Sequence, residues 1–370
     1  MTKILFLIPN LAHGGAEKVL VNLVNNMDKT KFDVTIQTLF DVGVNKQYIK
    51  SDVHYIGGYK RTFRGNSHIF KLFSPKRLYS HFIKDNYDII VSYLEGPTAR
   101  IVSGCTDKNT KLVSWIHIEQ QNKKIASNSF RNFDEAYECY SKFDKTICVS
   151  DTVKQDFLSL FDLKKPVSVL YNTNETEQIT NKANEKIDDI VFSDDCVNII
   201  SVAKIVHTKG YDRLINIHKR LLNDGVKNSV YILGLGEEKE KYEKIIGDNG
   251  LTDTFKFLGF RDNPYKYVKN ADLYVCSSRR EGFSTAVTEA LVLGKPVVST
   301  NCSGAYEMLG ENNEYGIVTE NNEDALYEGI KKMLTTPGML EDFAKRAKER
   351  GKEFSTEKTV KAVEEMFEGL

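Results

Sequence analysis

Short runs of consecutive apolar residues alternate along the chain with longer segments whose apolar positions recur every three or four residues. The short runs predict strands that are covered on both faces, and the longer segments predict amphipathic helices. Strands are predicted at 3–9, 32–39, 53–56, 88–93, 111–118, 145–150, 167–172, 197–203, 229–236, 255–260, 272–278, 296–300 and 315–319. Helices are predicted at 16–27, 97–105, 151–161, 211–224, 237–249 and 284–293. Strand, helix and strand in series indicate parallel α/β sheets.

The alternation is interrupted by the polar segment 173–195, which is rich in Asn, Thr, Asp and Glu. We therefore predict an α/β fold with an N-terminal Rossmann-like domain at 1–172, a linker at 173–195 and a C-terminal Rossmann-like domain at 196–352. A final helix at 353–370 is expected to cross back to the first domain. Two such domains leave a cleft at the carboxyl ends of their strands, where ligands usually bind.

The charge of the chain is balanced overall but not along its length. The 370 residues carry a net charge of zero, which gives no general reason to expect a nucleic acid as partner. Residues 1–172 hold 24 Lys+Arg against 17 Asp+Glu, a net of +7, and the remainder has a net of −7. This asymmetry suggests that the first domain faces something anionic.

Cysteine usage and hydropathy favour a cytoplasmic protein. The six cysteines are scattered and form no C-x-x-C pair, so neither a zinc site nor a disulfide framework is expected. The first apolar run is too short for a signal peptide, and no run approaches the roughly 20 apolar residues that a membrane-spanning helix needs.

Two loops at predicted strand ends carry groups that suit phosphate. Gly14 and Gly15 stand between the first strand and a helix, where the backbone can approach a ligand closely and helix amides can meet an anion. A plain tight turn explains them equally well. Lys204 and Lys209 follow the strand at 197–203 and suit a diphosphate, although solvated loop lysines are the alternative. The glycines do not form G-x-G-x-x-G, which argues against a dehydrogenase.

Two acids flank the start of the helix at 284–293. Glu281 precedes that helix and Glu289 lies on its second turn. Carboxylates accept pairs of hydroxyl groups well, as in the vicinal diol of a ribose or a hexose. The alternative is one capping acid and one surface acid. Ser284 is a suitable N-cap, and the first amides of the helix would then face the cleft.

The first half contributes a histidine and a basic segment. His117 ends an apolar strand, so it is either a satisfied core residue or a neutral hydrogen-bonding group in the cleft. The segment 59–84 has no acid, and it interleaves aromatic residues with Lys60, Arg61, Arg64, Lys71, Lys76, Arg77 and Lys84. It fits a surface that meets anionic lipid headgroups, or else a solvated helix whose aromatic residues pack inward.

Taken in order, these stretches resemble a retaining glycosyltransferase of family 4 with the GT-B fold, of the kind that builds bacterial surface polysaccharides. The E-x7-E motif of that family is matched by Glu281 and Glu289, and its G-R-L-x-x-x-K-G element by 203–210. GLGEEKEKY, LGFRDNPYKYVKNADLYVCSSRREGF, GKPVVSTNCSGAYEML and the early GGAEK resemble further parts of it. The resemblance covers nearly all of the chain and is strongest from about 197 to 320.

The resemblance implies a role for each candidate residue. Glu281 would contact the donor sugar, Lys204 and Lys209 would neutralise the diphosphate, and His117 would touch the sugar from the opposite domain. Further donor contacts would come from Gly14, Gly15, Gly259, Phe260, Arg261, Gly282, Phe283, Ser284, Thr285 and Glu289. The loop at 259–261 would border the base, and Glu289 would bind the ribose.

The chain departs from the family pattern at two places. Lys204 stands where the family usually has arginine, so the bidentate contact of a guanidinium with phosphate is lost there. Ser284-Thr285-Ala286 replaces the usual Gly-Leu-Pro, a change that bears on which sugar fits.

The expected activity is transfer of a hexosyl or N-acetylhexosaminyl group from a UDP-sugar to a saccharide acceptor, with retention of configuration. The expected acceptor is lipid-linked, and the segment 59–84 is expected to hold the protein on the inner face of the plasma membrane. No D-x-D motif precedes a suitable strand, so neither a metal ion nor another cofactor is expected. The alternatives are a non-catalytic nucleotide-sugar-binding subunit of another transferase and a sugar-nucleotide epimerase of the same fold.

Overall fold

The structure, a computed structural model, describes residues 1–12, 14–62 and 66–370, with 66–68 described by their backbone alone. It divides into two compact units. The first unit is Met1–Thr173 with Thr356–Leu370, and the second unit is Asn174–Ser355. Each unit is built around its own parallel sheet, as the alternating pattern predicts.

The first unit has an α/β arrangement. Its strands are β1 (Thr2–Ile8), β2 (Phe32–Thr38), β3 (His54–Ile56), β4 (Ile89–Tyr93), β5 (Lys111–Ile116), β6 (Lys145–Cys148) and β7 (Val167–Val169). Its helices before the second unit are α1 (Gly15–Asn26), α2 (Asn66–Leu72), α3 (Pro75–Phe82), α4 (Pro97–Val102), α5 (Lys123–Ala126), α6 (Phe133–Tyr140) and α7 (Asp151–Leu160). Among the described residues, the sheet order is β3-β2-β1-β4-β5-β6-β7, and every strand pair is parallel.

The second unit repeats this architecture. Its strands are β8 (Val197–Val202), β9 (Asn228–Leu233), β10 (Phe255–Gly259), β11 (Leu273–Cys276), β12 (Val297–Thr300) and β13 (Ile317–Thr319). Its helices are α8 (Thr176–Ala183), α9 (Tyr211–Asn223), α10 (Lys239–Asp248), α11 (Tyr265–Asn270), α12 (Thr285–Val292), α13 (Ala305–Leu309), α14 (Glu323–Thr335) and α15 (Met339–Gly351). In the described part of the chain the strands lie in the order β10-β9-β8-β11-β12-β13, all parallel.

In both sheets the first strand of the chain lies in the middle. The next two strands are added on one side of it, and the remaining strands are added on the other side. Because β1 lies beside β4, the loops that follow these two strands diverge, and the same holds for β8 and β11. Such a switch point at the carboxyl ends of the strands is where doubly wound sheets bind ligands. The topology therefore predicts, in each unit, the edge of the sheet at which a ligand would bind.

The last helix, α16 (Thr356–Glu368), belongs to the first unit, which confirms the predicted return of the chain. Its Phe367 ring is buried, with centroid distances of 5.9 Å to Phe6 and 6.3 Å to Phe32. Glu364 accepts a hydrogen bond of 2.6 Å from the backbone N–H of Asp28. The apolar face of α16 thus completes the core beside β1 and β2.

The segment predicted as a linker, 173–195, is corrected by the structure. It contains α8, whose Ile179 and Ala183 are buried against Tyr265 of α11. Asp189 then accepts hydrogen bonds from Arg261 and Tyr267. These contacts join the polar stretch to the second unit, and the boundaries of the units fall at 173/174 and 355/356.

The basic segment 59–84 contains α2 and α3, while Phe63 and Arg64 lie outside the described residues. Phe70 and Phe82 pack inward, with their ring centroids 5.7 Å apart. Phe73 is exposed instead. Within the residues described, no helix is both long enough and apolar enough to cross a membrane.

Candidate functional site

The switch point of the second sheet brings together two residues that are 72 positions apart in the sequence. Lys209 follows β8 and Glu281 follows β11, and Lys209 Nζ donates to Glu281 Oε1 at 2.5 Å. Both side chains are partly buried, with exposures of 21% for Lys209 and 13% for Glu281. The structure therefore places an ammonium and a carboxylate side by side at the sheet edge where ligands bind.

The two loops that carry this pair are fixed to each other. The hydroxyl of Ser277 donates to the carbonyl of Lys209 at 2.8 Å, and the N–H of Arg279 donates to the carbonyl of Thr208 at 2.7 Å. Gly210 has φ +68°, and a Cβ at this position would overlap the carbonyl oxygen of Ser277. Only glycine fits both the left-handed backbone and the close approach.

The electrostatics of the pair keep the lysine charged. Burial alone would lower the pKa of Lys209, but the charge of Glu281 and its hydrogen bond outweigh burial, so the pKa of Lys209 is raised. Glu281 is held in turn by the hydroxyl of Ser278, which donates to Oε1 at 2.7 Å. Thr300 donates to the carbonyl of Ser278 at 2.5 Å and so extends the support to β12. Sequence reasoning missed Ser278 and Thr300, because their side chains read as ordinary strand-end residues.

Lys204 is placed differently from Lys209. It follows the same strand, but its side chain is exposed, and the hydrogen bonds around Glu281 do not include it. The two lysines that the sequence groups together therefore differ: Lys209 is hydrogen-bonded to Glu281, and Lys204 is exposed to solvent.

The start of α12 lies directly after Glu281. Ser284 occupies the predicted N-cap position, yet its side chain makes no capping hydrogen bond to a described residue, although it is buried. Gly282 precedes Phe283, whose ring contacts Phe354 at a centroid distance of 5.9 Å. Thr285 is the first helical residue. The first amides of α12 and the Ser284 hydroxyl are thus available for an anion or a sugar.

Glu289 lies inside α12, with an exposure of 8%. Tyr265 donates its hydroxyl to Glu289 Oε1 at 3.3 Å. The alternative of a surface acid is therefore wrong, because this carboxylate is buried and hydrogen-bonded. A buried carboxylate that accepts from hydroxyl groups is the environment that a ribose diol would need.

The loop after β10 contains the residues expected beside the base. Gly259 has φ +74°, and Phe260 is half exposed. Arg261 is not free, because its guanidinium pairs with Asp189 at 2.8 Å. Arg261 thus has a structural partner that the sequence did not reveal, beside a Phe260 ring that is half exposed.

In the first unit, Gly14 is the N-cap of α1 and Gly15 is its first residue. The backbone of Gly14 is extended, with φ −128°, so the position does not require glycine for its φ angle. A Cβ there would overlap the carboxylate of Glu17, which lies against this turn. The absence of a side chain at Gly14 therefore lets the Glu17 carboxylate lie against the turn that follows β1.

His117 follows β5 and is buried, and its Nε2 has no hydrogen-bond partner among the described residues. Its backbone N–H donates to Glu95 at 3.0 Å. Burial lowers the pKa of His117 to about 3, so the imidazole is neutral. No described residue therefore satisfies the Nε2 atom of this buried histidine.

Two further aromatic residues carry a buried polar atom that has no hydrogen-bond partner among the described residues. Within the described part of the chain, the hydroxyl of Tyr93 and the indole nitrogen of Trp115 are also buried without a partner. The ring centroid of His117 lies 4.7 Å from that of Tyr93 and 6.5 Å from that of Trp115. Burial also raises the pKa of Tyr93. Sequence reasoning missed both residues, since an aromatic residue in an apolar strand looks like core. Buried polar atoms are usually satisfied, so this group indicates a place that a ligand or ordered water fills.

The residues described by the structure contain no group of three or more His, Cys, Asp or Glu side chains arranged to hold a metal ion.

Comparison with known proteins gives the context of this site. The model for glycosyltransferase family 4 matches residues 13–178, and the model for glycosyl transferases group 1 matches residues 183–350. The two matches together span most of the chain, and the second contains the Lys209–Glu281 pair.

Relatives that match over nearly the whole chain are named as glycosyltransferases. The chain is 28% identical to N-acetylgalactosamine-N,N'-diacetylbacillosaminyl-diphospho-undecaprenol 4-alpha-N-acetylgalactosaminyltransferase of Campylobacter jejuni, over 96% of each chain. It is 22% identical to the amylovoran biosynthesis glycosyltransferase AmsD of Erwinia amylovora, over 98% of each chain.

A solved structure supports the fold. The crystal structure of Anabaena Alr3699/HepE in complex with UDP and glucose superimposes with a TM-score of 0.76 at 19% identity, over all of both chains. The paired parallel sheets and both family matches lead to one conclusion: the chain belongs to the GT-B glycosyltransferases of family 4.

Proposed function

We propose that this glycosyltransferase moves a hexosyl or N-acetylhexosaminyl group from a UDP-sugar to a lipid-linked saccharide, with retention of anomeric configuration. The observation that carries the proposal is the contact between Lys209 and Glu281 at the switch point of the second sheet. An ammonium suits the diphosphate that leaves, and a carboxylate beside it suits the hydroxyl groups of the sugar.

Charge separation explains how these residues act. Breaking the anomeric bond leaves negative charge on the diphosphate and positive character on the sugar ring. Lys209 and the amides at the start of α12 stabilise the leaving group with fixed charges and dipoles. Because these groups already supply positive charge, we propose that transfer requires no divalent metal and no other cofactor. Lys204 adds a second, solvent-exposed cation.

The other candidate residues bind the rest of the donor. Glu289 accepts hydrogen bonds from the ribose hydroxyl groups, and Phe260 lies against the base. Ser284 contributes its unused hydroxyl to the sugar or the diphosphate. For the first unit, we propose that His117 offers its neutral imidazole to a hydroxyl of the donor sugar, while the turn at Gly14 and Gly15 contacts the donor through its backbone, with the amide of Gly15 as a hydrogen-bond donor.

We propose that Glu281 binds the donor sugar and does not attack its anomeric carbon. Lys209 and Ser278 both engage its Oε1 atom, an arrangement that suits binding better than nucleophilic attack. We propose that the acceptor hydroxyl attacks from the face that the diphosphate leaves and gives its proton to the departing diphosphate, so that an α-linked donor yields an α-linkage.

The proposed acceptor is a saccharide on a polyprenyl diphosphate. The named activity of the Campylobacter jejuni relative, on a diphospho-undecaprenol substrate, supports this choice. We also propose that the basic segment 59–84 meets the membrane that carries the acceptor, on its cytoplasmic face.

A donor panel tests the proposal. Purified protein is given UDP-linked and GDP-linked hexoses and N-acetylhexosamines, with a polyprenyl-diphosphate-linked saccharide, and nucleotide release is measured. We expect release from one UDP-sugar that depends on the acceptor and persists in excess EDTA. The anomeric configuration of the product is read by NMR, and a β-linkage would contradict retention. Tight binding of UDP without turnover of any donor would favour a non-catalytic subunit instead.

A further inference from the structure

Large apolar side chains are exposed together where α2 ends. Leu72 is 76% exposed, and Ile69 and Phe73 are 44% and 43% exposed. Most other exposed apolar residues stand singly in the sequence, as is normal on a protein surface. We call Ile69, Leu72 and Phe73 the apolar tip. Clustered apolar residues on a surface mark an interaction site more often than isolated ones do.

The turn that presents the apolar tip is held by a buried arginine. Arg100 of α4 has an exposure of 1% and donates to the carbonyls of Phe70 and Phe73, both at 2.8 Å. Glu135 of α6 pairs with the same guanidinium at 2.8 Å. Burial of a cation destabilises the folded state unless the cation is paired and hydrogen-bonded. The guanidinium of Arg100 is paired with Glu135, and it also donates to the backbone carbonyls of the turn.

A second set of contacts fixes which side chains face outward. Arg131 donates to the carbonyl of Lys71 at 2.8 Å. Phe70 is buried, and its ring contacts that of Phe82. With Phe70 turned inward and the carbonyls of the turn bound, the backbone holds Leu72 and Phe73 at the surface.

Basic residues flank the apolar tip in the sequence. None of the basic residues of this segment whose side chains the structure describes forms an ion pair with a described carboxylate: Lys60, Arg61, Lys71, Lys76, Arg77 and Lys84. Cations elsewhere in the first unit, such as Lys31, Lys46 and Lys165, do have acidic partners. The surface thus combines unpaired cations with protruding apolar groups.

We propose that the apolar tip inserts into the headgroup region of an anionic lipid bilayer while the flanking cations contact lipid phosphates. A purely electrostatic patch would need no exposed leucine, and an apolar protein interface would not collect unpaired cations. An anionic bilayer offers both an apolar region for the leucine and phosphates for the cations. The inference rests on the proposed lipid-linked acceptor and names the residues through which the chain reaches it.

Vesicle binding by the full chain tests the inference. Vesicles of phosphatidylcholine with about one-third phosphatidylglycerol are compared with pure phosphatidylcholine at physiological salt, by flotation. We expect wild-type protein to bind the anionic vesicles only. The double variant Leu72→Ser with Phe73→Ser should bind at least about tenfold more weakly, because two apolar side chains are withdrawn from the bilayer.

A charge pair and matched controls separate the two contributions. Lys76→Glu with Arg77→Glu should also bind at least about tenfold more weakly, since each basic residue near the membrane adds roughly fivefold to binding. Val191→Ser, at an exposed site of the second unit, and Lys227→Glu with Lys256→Glu should bind as wild type does. Melting curves confirm that all variants are folded.

Three results would overturn the inference: no binding of wild-type protein to anionic vesicles, unchanged binding of the Leu72→Ser, Phe73→Ser variant, or a concentration-dependent dimer that this variant abolishes. The last would identify a protein interface. Transfer to an acceptor with a short, water-soluble lipid should be unchanged in the tip variants. Vesicle binding without any transfer would leave the inference standing and refute the proposed function.

Discussion

The charge on one lysine decides much of the chemistry at the residue scale. Lys209 is partly buried, yet its contact with Glu281 keeps the pKa above its usual value. The ammonium therefore stays protonated wherever the protein is folded, and it is placed to meet a diphosphate without any titration step.

We expect Lys209→Ala to lower kcat by about two to three orders of magnitude, the effect of removing one fixed charge-stabilising group. Nucleotide release with the best donor measures it. Lys219→Ala, an exposed lysine of α9, is the matched control and should leave turnover unchanged. Near-wild-type turnover in Lys209→Ala would remove this lysine from the mechanism.

His117 makes a prediction about pH. Its pKa is lowered to about 3 by burial, whereas the unfolded chain titrates near 6.5. Below pH 6.5 the unfolded state therefore binds one more proton than the folded state. The contribution to the free energy of unfolding is complete above pH 6.5 and is lost as the pH falls toward 3, by about 1.4 kcal/mol per unit.

Replacement of His117 by asparagine removes its contribution to the pH dependence of the unfolding free energy. The difference in unfolding free energy, wild type minus His117→Asn, should fall by about 2 kcal/mol between pH 7.5 and pH 5. Urea unfolding at the two pH values measures it. His218 is also buried with a lowered pKa, but it is present in both proteins and its effect cancels. A difference that does not change with pH would show that His117 is protonated in the folded state.

At the scale of elements, the strands could be predicted and several helices could not. All the predicted strands are present, with ends within three residues, because a short, continuous apolar run between turns is typical of a buried strand. The helix α8 was missed since only Ile179 and Ala183 of its residues are buried, too few for a periodic signal. In α15, the apolar positions are similarly sparse among charged residues.

The candidate site was predictable in its residues but not in its geometry. The motifs identify Lys209 and Glu281, yet their contact depends on Gly210 and Ser277, which lock one loop against the other. Nothing in the local sequence pattern indicates that Lys209 contacts Glu281 while Lys204 is exposed. Residues that belong to apolar strands, such as Trp115, carry no sign that their polar atoms remain unpaired.

Gly210→Ala tests the lock between the loops. The added Cβ combines a left-handed backbone with overlap of the Ser277 carbonyl, so the second unit should lose about 3 kcal/mol of unfolding free energy. Gly225→Ala is the control, because its φ is +79° but a Cβ there meets nothing within 4 Å. It should lose only about 1 kcal/mol.

Trp115 is the single tryptophan of the chain and lies in the first unit. Far-UV circular dichroism follows both units, whereas tryptophan fluorescence follows the first alone. The Gly210→Ala effect should therefore appear in the circular dichroism. Equal losses in the two glycine variants would mean that the overlap with Ser277 is relieved at no cost.

At the scale of the whole molecule, the first unit is assembled from two distant parts of the chain. Phe367 of α16 packs beside Phe6 of β1, so the core of this unit includes residues that follow the entire second unit. The stability of the first unit should thus depend on the last helix.

We expect Phe367→Ala to lower the unfolding free energy of the first unit by about 3–5 kcal/mol, the usual effect of removing a buried aromatic ring. The midpoint of the Trp115 fluorescence transition in urea measures it. Glu368→Ala removes only an exposed ion pair with Lys31 and should change the midpoint little. An unchanged midpoint in Phe367→Ala would show that α16 is dispensable to this core.

The return of the chain in α16 has a consequence for biosynthesis. Residues 1–173 leave the ribosome first, but the helix that closes their core is translated after the 182 residues of Asn174–Ser355. At 5–20 residues per second, the nascent first unit waits on the order of ten seconds or more with the apolar surface around Phe6 and Phe32 uncovered. The second unit, continuous in sequence, can finish folding earlier, so chaperone demand during synthesis should fall mainly on the part of the protein that is made first.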